Sequence, residues 1–457
     1  QAVPGDMLEA AKIDGASEWK TLWDIIIPNV MPSITICTFL TLTNSFKLYD
    51  QNLALTNGRP YNGVIHTTEM LALNIVNSNT LKTKGVGQAK AVMFFVLVAI
   101  IGIFLHNYCH WIGSIVKENE YQYFQRNVDW LNQVLVNPDL NLPFHLISFF
   151  GHYGVPVFLF LSAYGLVLKY EAKPHLDAST QFVNINGKTM WNWKEPLRFI
   201  RYHYLKLFKM MIVGFVAFTM LDYITYGPHK YATLDIVAML GMFNNILPDP
   251  DRIIWPGPFW FFGLMLQLYI VYRLFIYRKH WGFTVGLMVV CIVIQIALGW
   301  DNPESEAMNR YRYNFMGGML PFGLGVLYAR YGEKILMTFH HNVTNFFGII
   351  FCSSIIYSLS GSMMGWTFVP LFICLLSVLT AKFLSGVNWL SGVNRILEWM
   401  GGISAALFVC HPITRKIFIP ISRQGDMYAG LLLYIVSSIC LAWLFTQLMK
   451  KIPNPKL

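Results

Sequence analysis

The chain has 457 residues, of which 55% are hydrophobic and only 13% are charged. A soluble domain carries about twice that charged fraction, so the composition excludes an ordinary soluble protein. The net charge of +10 is spread over short Lys/Arg clusters between apolar runs. That pattern is typical of the cytoplasmic loops of membrane proteins and does not indicate nucleic-acid binding. The seven cysteines form no CxxC pair, so the sequence predicts neither a metal site nor a disulfide framework.

Apolar runs of about 20 residues recur along nearly the whole chain, and each is long enough to cross a bilayer as a helix. Because lipid offers the backbone no hydrogen-bond partner, these runs predict helices rather than strands. We therefore expect an all-α, polytopic transmembrane helical bundle, with about ten spans in the main body and one span before it. The stretch 232–247 is too short to cross and is predicted to lie at the interface or to re-enter. The predicted spans are 29–47, 88–106, 144–168, 205–226, 256–277, 281–300, 313–329, 345–363, 366–386, 400–420 and 428–448.

The distribution of basic residues predicts an orientation in the membrane. The segment 169–209 carries eight Lys/Arg, and basic clusters favour the cytoplasmic side. This segment and the later clusters fall on one side if residues 88–448 make ten crossings that start from the cytoplasm. Three basic residues, Arg415, Lys416 and Arg423, disagree, because this topology places them outside.

A polar segment precedes the first predicted span and reads PGDMLEAAKIDGASEWKTLWDIIIPNVMP. It resembles the EAA loop of binding-protein-dependent ABC importer permeases, especially those for sugars. The resemblance implies that 1–95 is a permease fragment whose loop docks an ABC ATPase, with a sharp turn at a glycine. Two spans cannot enclose a transport path. Because the first residue is Gln and not Met, we expect the chain to be a fragment of a longer gene product. The coupling residues would be Glu9, Ala10, Ala11, Asp14 and Gly15.

The remainder, 96–457, resembles the integral-membrane acyltransferase family, acyltransferase family 3. The resemblance implies transfer of an acyl group, typically acetyl, from acyl-CoA to a hydroxyl of a glycan or another extracytoplasmic acceptor. It also implies a multi-pass protein of the bacterial inner membrane with no tightly bound cofactor. The stretches that carry it are GHYGVPVFLFLSAYGL, EPLRFIRYHYLKLF, PFWFFGLMLQLY, LPFGLGVLYARYGEK and WMGGISAALFVCHPI.

Acyl transfer to a hydroxyl needs a base, and His106 in the apolar run GIFLHNYCHW is the catalytic candidate. An ionisable residue in a span is a functional hypothesis by default, although a hydrogen-bonded histidine at a helix end would explain His106 equally. His110, one turn on, is the competing base. Arg198 and Arg201 match the family's Arg-x-x-Arg pair and suit the phosphates of acyl-CoA. They could instead be topological anchors, as nearby lysines are.

Five further residues are candidates for the substrate pocket. Trp260 and Gln267 are seven apart and therefore share a helix face, and the same holds for Ser404 and His411. Gln267 could orient a carbonyl or hydroxyl, or could join helices. His411 could line the acceptor side or be a satisfied interface histidine. The pocket candidates are Trp260, Gln267, Tyr269, Ser404 and His411.

The two resemblances conflict within one helix. The acyltransferase family usually has an arginine eleven residues before its first-span histidine, where this chain has Phe95. Lys90 lies about 24 Å from His106 along a helix, against about 16 Å for the family's spacing, and cannot replace it. We therefore expect a chimera, either a natural fusion or an assembly error, joined near residues 95–104 and with low or no acyl transfer. The alternatives are an importer permease subunit for carbohydrate uptake and a nonfunctional fusion.

Overall fold

A computed structural model describes residues 9–11, 13–21, 26, 102–119, 121–171, 182–185, 188–191, 193–225, 229, 231–332, 342–385 and 391–455. The chain divides into two compact units, Gln1–Lys90 and Ala91–Leu457. The predicted span 29–47 and most of the predicted span 88–106 lie outside the described residues.

In the first unit, the described residues form a helix–turn–helix segment. Residues 9–11 are helical, the chain turns at Asp14 and Gly15, and a short helix α1 follows at Glu18–Thr21. The Asp14 amide donates to the Ala10 carbonyl at 3.0 Å. Gly15 has φ +69°, a conformation that glycine adopts without steric cost. The structure thus confirms the predicted sharp turn at this position.

The second unit is a bundle of helices, and eight of its described helical segments are long and apolar enough to cross a membrane. Its described residues begin with a helical segment at residues 102–109. The helices that follow are α2 Gln125–Val136, α3 Leu142–Phe150, α4 Gly154–Tyr170, α5 Lys194–Ile224, α6 Thr233–Leu240, α7 Trp260–Val271, α8 Trp281–Asp301, α9 Glu306–Arg312, α10 Phe315–Leu327, α11 Asn342–Ser360, α12 Met363–Ser385, α13 Ser391–Gln424 and α14 Met427–Lys451.

These helices confirm the polytopic bundle and correct three details of the predicted elements. Helix α5 begins at Lys194, eleven residues before the predicted span, so Arg198 and Arg201 lie on a helix rather than in a loop. Helix α10 has 13 residues and continues directly into a π-helical turn at Tyr328–Gly332, beyond the predicted end of this span at 329. An unpredicted antiparallel hairpin, β1 Phe182–Ile185 and β2 Lys188–Trp191, lies within the basic segment. Helix α6 is short, as expected for a segment that does not cross.

Two large apolar clusters lie among the described residues of the second unit. One lies where α4, α7 and α10 meet, around Leu159, Leu264 and Phe322. The other packs the segment 102–109 against α5, α13 and α14. Polar contacts reinforce the second cluster, because the Tyr434 hydroxyl donates to the Phe104 carbonyl at 2.8 Å. Since unsatisfied polar groups are costly in lipid, such bonds fix the position of the 102–109 segment.

The three basic residues that contradict the charge bias all bind protein groups. Lys416 forms an ion pair with Asp222, whose side chain is almost fully buried. Arg423 donates to the Trp111 carbonyl at 2.7 and 3.0 Å. Arg415 is buried, lies 3.4 Å from the Asn107 carbonyl, and stacks over the Trp111 ring at 4.9 Å. These contacts explain the three basic residues whichever side of the membrane they face. The predicted orientation therefore stays a prediction.

Candidate functional site

His106 lies on the helical segment 102–109 and is only 2% exposed. Its Nδ1 atom is 2.7 Å from the carbonyl oxygen of Ser148. A carbonyl can only accept a hydrogen bond, so Nδ1 must carry the proton. This leaves the lone pair of a neutral imidazole on Nε2, the atom that faces the rest of the site. The contact fixes both the tautomer and the orientation of the ring.

Two glycines allow this histidine to meet a second one. The segment 102–109 packs against the 3-10 turn Gly151–Tyr153, which joins α3 to α4. A Cβ atom on Gly151 would lie 2.7 Å from the Gly102 carbonyl and 2.9 Å from the His106 Cβ. With glycine there, the backbones approach closely, and His152 stacks on His106 with ring centroids 4.4 Å apart.

Glu118 brings a carboxylate to these histidines. Its Oε2 atom lies 3.8 Å from His106 Nε2, and its Oε1 atom lies 4.0 Å from His152 Nδ1. His110 Nδ1 lies in close contact with the same Oε2 atom, a contact that is an ion pair when the imidazole is protonated. Three histidines therefore surround one largely buried carboxylate, and we call His106, His110, Glu118 and His152 the histidine cluster.

The loop that carries Glu118 is pinned to the bundle by polar contacts. Ser148 Oγ donates to the Val116 carbonyl at 2.6 Å, and the Val116 amide donates to His145 Nδ1 at 3.2 Å. Burial alone would raise the pKa of Glu118, but the neighbouring His110 and His106 outweigh it and lower this pKa well below its usual range. Glu118 is therefore a carboxylate anion in the folded protein.

An aromatic wall borders the cluster on the side of α7 and α10. The Tyr121 ring lies 4.7 Å from His152, 4.9 Å from Trp260 and 4.4 Å from Tyr313. Trp260, a predicted pocket residue, is 4% exposed and lies next to the cluster through this tyrosine. Its predicted role in a substrate pocket stays a prediction.

The other two pocket candidates on this span lie elsewhere. Gln267 Oε1 accepts from the Phe315 amide at 2.9 Å, and its Nε2 donates to Asn314 at 2.8 Å. Gln267 therefore caps the first turn of α10, which favours the helix-joining alternative. Tyr269 bonds Ser162 at 3.2 Å and contacts the His203 ring at 4.5 Å. These contacts do not bring Tyr269 to the histidine cluster.

Ser404 and His411 are both buried on α13, two turns apart. His411 Nδ1 lies 2.7 Å from the Phe408 carbonyl, so Nδ1 carries the proton and Nε2 the lone pair. The acceptor-side role and the interface role both remain open for His411, and Ser404 makes no side-chain hydrogen bond recorded among the described residues.

Arg198 and Arg201 are exposed near the start of α5, at the far end of the bundle from the histidine cluster. The separation follows from α4, which begins at Gly154 beside the cluster and has 17 residues, a length of about 25 Å. At its other end, Tyr170 bonds His203 of α5 at 3.1 Å. The arginines and the cluster are thus separated by most of the hydrocarbon core, about 30 Å thick.

Comparison with known families agrees with this division of the chain. The sequence model described as "Acyltransferase domain" matches residues 89–447. The chain belongs to this acyltransferase family. A second model, "Binding-protein-dependent transport system inner membrane component", matches residues 1–110. The two matches overlap at 89–110, around the predicted junction at 95–104, so the chain combines parts of two families, as expected for a chimera.

Curated permease relatives match the N-terminal, permease-like part of the chain. The probable starch degradation products transport system permease protein AmyD of Thermoanaerobacterium thermosulfurigenes is 44% identical over 104 residues, which are 22% of this chain and 34% of the relative. The multiple sugar-binding transport system permease protein MsmF of Streptococcus mutans is 32% identical over 105 residues, again 22% and 34%. The putative ABC transporter permease protein ORF1 of Caldicellulosiruptor sp. is 33% identical over 105 residues, which are 23% and 72%.

The chain spans about a third of the length of the first two of these relatives. No solved structure matches the chain. The predicted domain boundary at 95/96 stays a prediction, while the division by contacts falls at Lys90 and Ala91. Phe95, the position of the absent family arginine, lies outside the described residues.

Glu118 and His152 are the members of the acyltransferase's cluster that sequence reasoning missed. His152 stands in GHYGVP, a stretch quoted only for its family resemblance. Glu118 stands in a polar loop, where a carboxylate is usually solvated. The one available signal was the spacing of His106 and His110, which indicates two imidazoles on one helix face. The sequence predicted no metal site from cysteine spacing, and that prediction stays untested.

Proposed function

We propose that the protein is an O-acyltransferase of the bacterial inner membrane that moves an acyl group, acetyl in the simplest case, from acyl-CoA to a hydroxyl of a glycan or another extracytoplasmic acceptor. The observation that carries the proposal is the buried pair of His106 and Glu118. The family match supports the general reaction type. The donor, the acceptor and the residue roles are part of the proposal.

His106 Nε2 accepts the proton of the acceptor hydroxyl while the hydroxyl oxygen attacks the thioester carbonyl. The C–S bond then breaks, and the departing thiolate takes up the proton. Glu118, 3.8 Å from Nε2, stabilises the imidazolium that forms between these two events. His110 holds the carboxylate through its close contact with Oε2. In this assignment His110 is a positioning residue rather than the base.

Arg198 and Arg201 bind the phosphates of the acyl donor at the cytoplasmic end of α5. Their exposure and their spacing on one helix support this role, since guanidinium groups bind phosphate oxygens bidentately. The flexible arm of CoA would then carry the thioester towards the cluster along the bundle interior. Lys209 has a different role, because it bonds the Ile452 carbonyl at 2.6 Å and Asn454 at 3.0 Å.

The test uses the full chain, purified in detergent, with acetyl-CoA as donor and a methyl glycoside or water as acceptor. Release of CoA thiol and transfer of labelled acetyl are measured in the chain as it stands and in its Phe95→Arg variant. Replacement of His106 by Gln is expected to lower the rate of acyl transfer by a factor of at least about 100. The exposed His280, changed to Gln, is the control. Absence of transfer in both backgrounds, or transfer that survives His106→Gln, would overturn the proposal.

The donor site has its own test. Arg198→Gln and Arg201→Gln are each expected to raise KM for acetyl-CoA by about tenfold or more, because a hydrogen bond to a charged group contributes roughly 1.5–3 kcal/mol. The turnover number should change little. The neighbouring exposed Lys206, changed to Gln, is the matched control. An unchanged KM in both arginine variants would assign the pair to anchoring.

The turn at Gly15 favours a second function for the first unit, the docking of an ABC ATPase. We propose that residues 9–21 insert into such a partner as the EAA loop does in permeases. The exposed Glu9, Asp14 and Gly15 are available for this contact. Co-purification with a sugar-importer ATPase, lost in Gly15→Trp and kept in the exposed control Lys20→Gln, would support it. No association, or association unchanged in Gly15→Trp, would contradict it.

A further inference from the structure

Three potential metal ligands converge in the histidine cluster. Single ligand atoms of His106, Glu118 and His152 all lie within 4.8 Å of one another. They come from three separate stretches of the chain, namely the 102–109 helix, the loop after it and the turn before α4. We propose that these three side chains form a binding site for a divalent transition-metal cation, with zinc as the preferred ion.

The separations of the ligand atoms support a shared cation. The Ser148 carbonyl accepts a hydrogen bond from His106 Nδ1–H, so the lone pair of the ring is on Nε2. This atom lies 3.8 Å from the Glu118 carboxylate. Two such electron-rich atoms cannot hydrogen-bond each other, but both can bind one cation. Zinc bonds imidazole nitrogen at about 2.0–2.1 Å, so two of its tetrahedral ligands lie about 3.4 Å apart. The observed separations are 3.8 Å to one carboxylate oxygen and 4.0 Å to the other, and the three ligand atoms lie within 4.8 Å of one another. Metal binding therefore requires side-chain rotations that draw these atoms together to that spacing.

The surroundings of these ligands are those of a metal site. Metal-bound histidines usually donate the other ring N–H to a carbonyl or carboxylate, and ligating carboxylates are themselves hydrogen-bonded. His106 meets the first condition through Ser148, and Glu118 has His110 Nδ1 in close contact with its Oε2 atom. Two histidines and one glutamate form a known zinc ligand set with an open fourth position. Imidazole ligands favour zinc and its neighbours over magnesium or calcium.

The functional consequence rests on the proposed function. In that mechanism the lone pair of His106 Nε2 accepts the proton of the acceptor hydroxyl. A cation bound to Nε2 occupies the same lone pair, so the metal-loaded protein cannot take that proton. Zinc therefore inhibits acyl transfer reversibly, and the cluster couples the enzyme to the metal content of the compartment that the cluster faces.

Binding is tested directly, without reference to activity. The full chain in detergent is stripped of metal with a chelator, dialysed, and titrated with Co²⁺, whose visible absorption reports coordination. We expect one Co²⁺ per chain, displaced by Zn²⁺. His152→Gln and Glu118→Gln should weaken binding by more than the roughly 10–100-fold loss that an outer-shell change causes. His203→Gln, a buried histidine at the other end of α4, should bind as the unmodified chain does.

The outcomes separate this proposal from the proposed function. No Co²⁺ binding by the unmodified chain, or equal binding by His152→Gln, would overturn the metal site, while acetyl-CoA turnover that depends on His106 would still stand. Cluster-dependent binding without turnover in either the unmodified chain or its Phe95→Arg variant would support the site and contradict the enzyme assignment. Where turnover exists, added Zn²⁺ should abolish it and a chelator should restore it. Activity that appears only after zinc is added would overturn the inhibitory role.

Discussion

Replacement of Glu118 by Gln tests whether the carboxylate works through His106. The change keeps the size of the side chain and an oxygen that can accept from His110, but it removes the negative charge. In the folded protein that charge lies 3.8 Å from His106 Nε2. The expected effect is therefore electrostatic, and it falls on the protonated form of His106.

The size of the effect follows from this distance. Two unit charges about 4 Å apart attract by roughly 4 kcal/mol at the effective dielectric constant of 20 that suits protein sites. If about half of the positive charge has developed on the imidazole in the transition state, the loss is about 2 kcal/mol. A loss of that size lowers the rate roughly 30-fold.

The assay is the release of CoA thiol from acetyl-CoA as a function of pH. Without the carboxylate the imidazolium is less stable, so His106 stays unprotonated to lower pH. The acidic limb of the profile should move to lower pH while the plateau falls. A misfolded cluster would lower the plateau and leave the limb in place, and that result would refute the electrostatic reasoning. Glu304→Gln, an exposed carboxylate 3.7 Å from Arg126, should change neither quantity.

Three further changes have defined outcomes. Gly151→Ala should destabilise the protein by about 1–3 kcal/mol by thermal unfolding and lower activity, because the added Cβ meets the His106 Cβ at 2.9 Å; unchanged stability would contradict the close approach. Arg330→Gln should cost about 3–5 kcal/mol of stability, because it leaves the largely buried Glu171 without its bidentate partner at 2.8 Å. The double variant Glu171→Gln, Arg330→Gln should lose less stability than the sum of the two single variants. Phe95→Arg should raise acyl transfer measured with labelled acetyl-CoA, and a rate that is near-normal before the change and unaltered by it would contradict the expected impairment.

The sequence predicted those features that depend on local composition. Apolar run lengths gave the spans, because a helix that crosses lipid must satisfy its own backbone within about 20 residues. The short α6 was correctly excluded from the spans for the same reason. The turn at Gly15 was predictable because a single residue type adopts its conformation freely. The sequence did not predict the early start of α5, because the first turns of this helix are amphipathic and charged. Hydropathy alone does not distinguish such turns from a loop.

The candidate site could be predicted only in part, since its members come from separate segments. His106 stands out in sequence because an ionisable group in an apolar run is costly. Glu118 and His152 do not stand out, because their importance depends on the loop folding back over Ser148 and on two glycines in contact. For Gln267 the sequence left two roles open, and the bonds to Phe315 and Asn314 favour the helix-joining one, while its place in a pocket stays a prediction.

The positions of the histidine-cluster contacts in the sequence indicate which part of the acyltransferase the predicted junction affects. Each contact described within the histidine cluster is made by residues from 102 onward, and the loop around Glu118 is pinned by Ser148 and His145. The side chains of the cluster, from His106 onward, therefore lie beyond the predicted junction at 95–104, whereas the position of the family's arginine, Phe95, lies at its start. The cluster and the arginine are thus separable parts in this chain. The test is to measure turnover with and without Phe95→Arg and the effect of Glu118→Gln in both. If Glu118→Gln has its expected effect but turnover is slow until Phe95→Arg is introduced, the arginine acts in donor handling or base orientation and not in folding of the site.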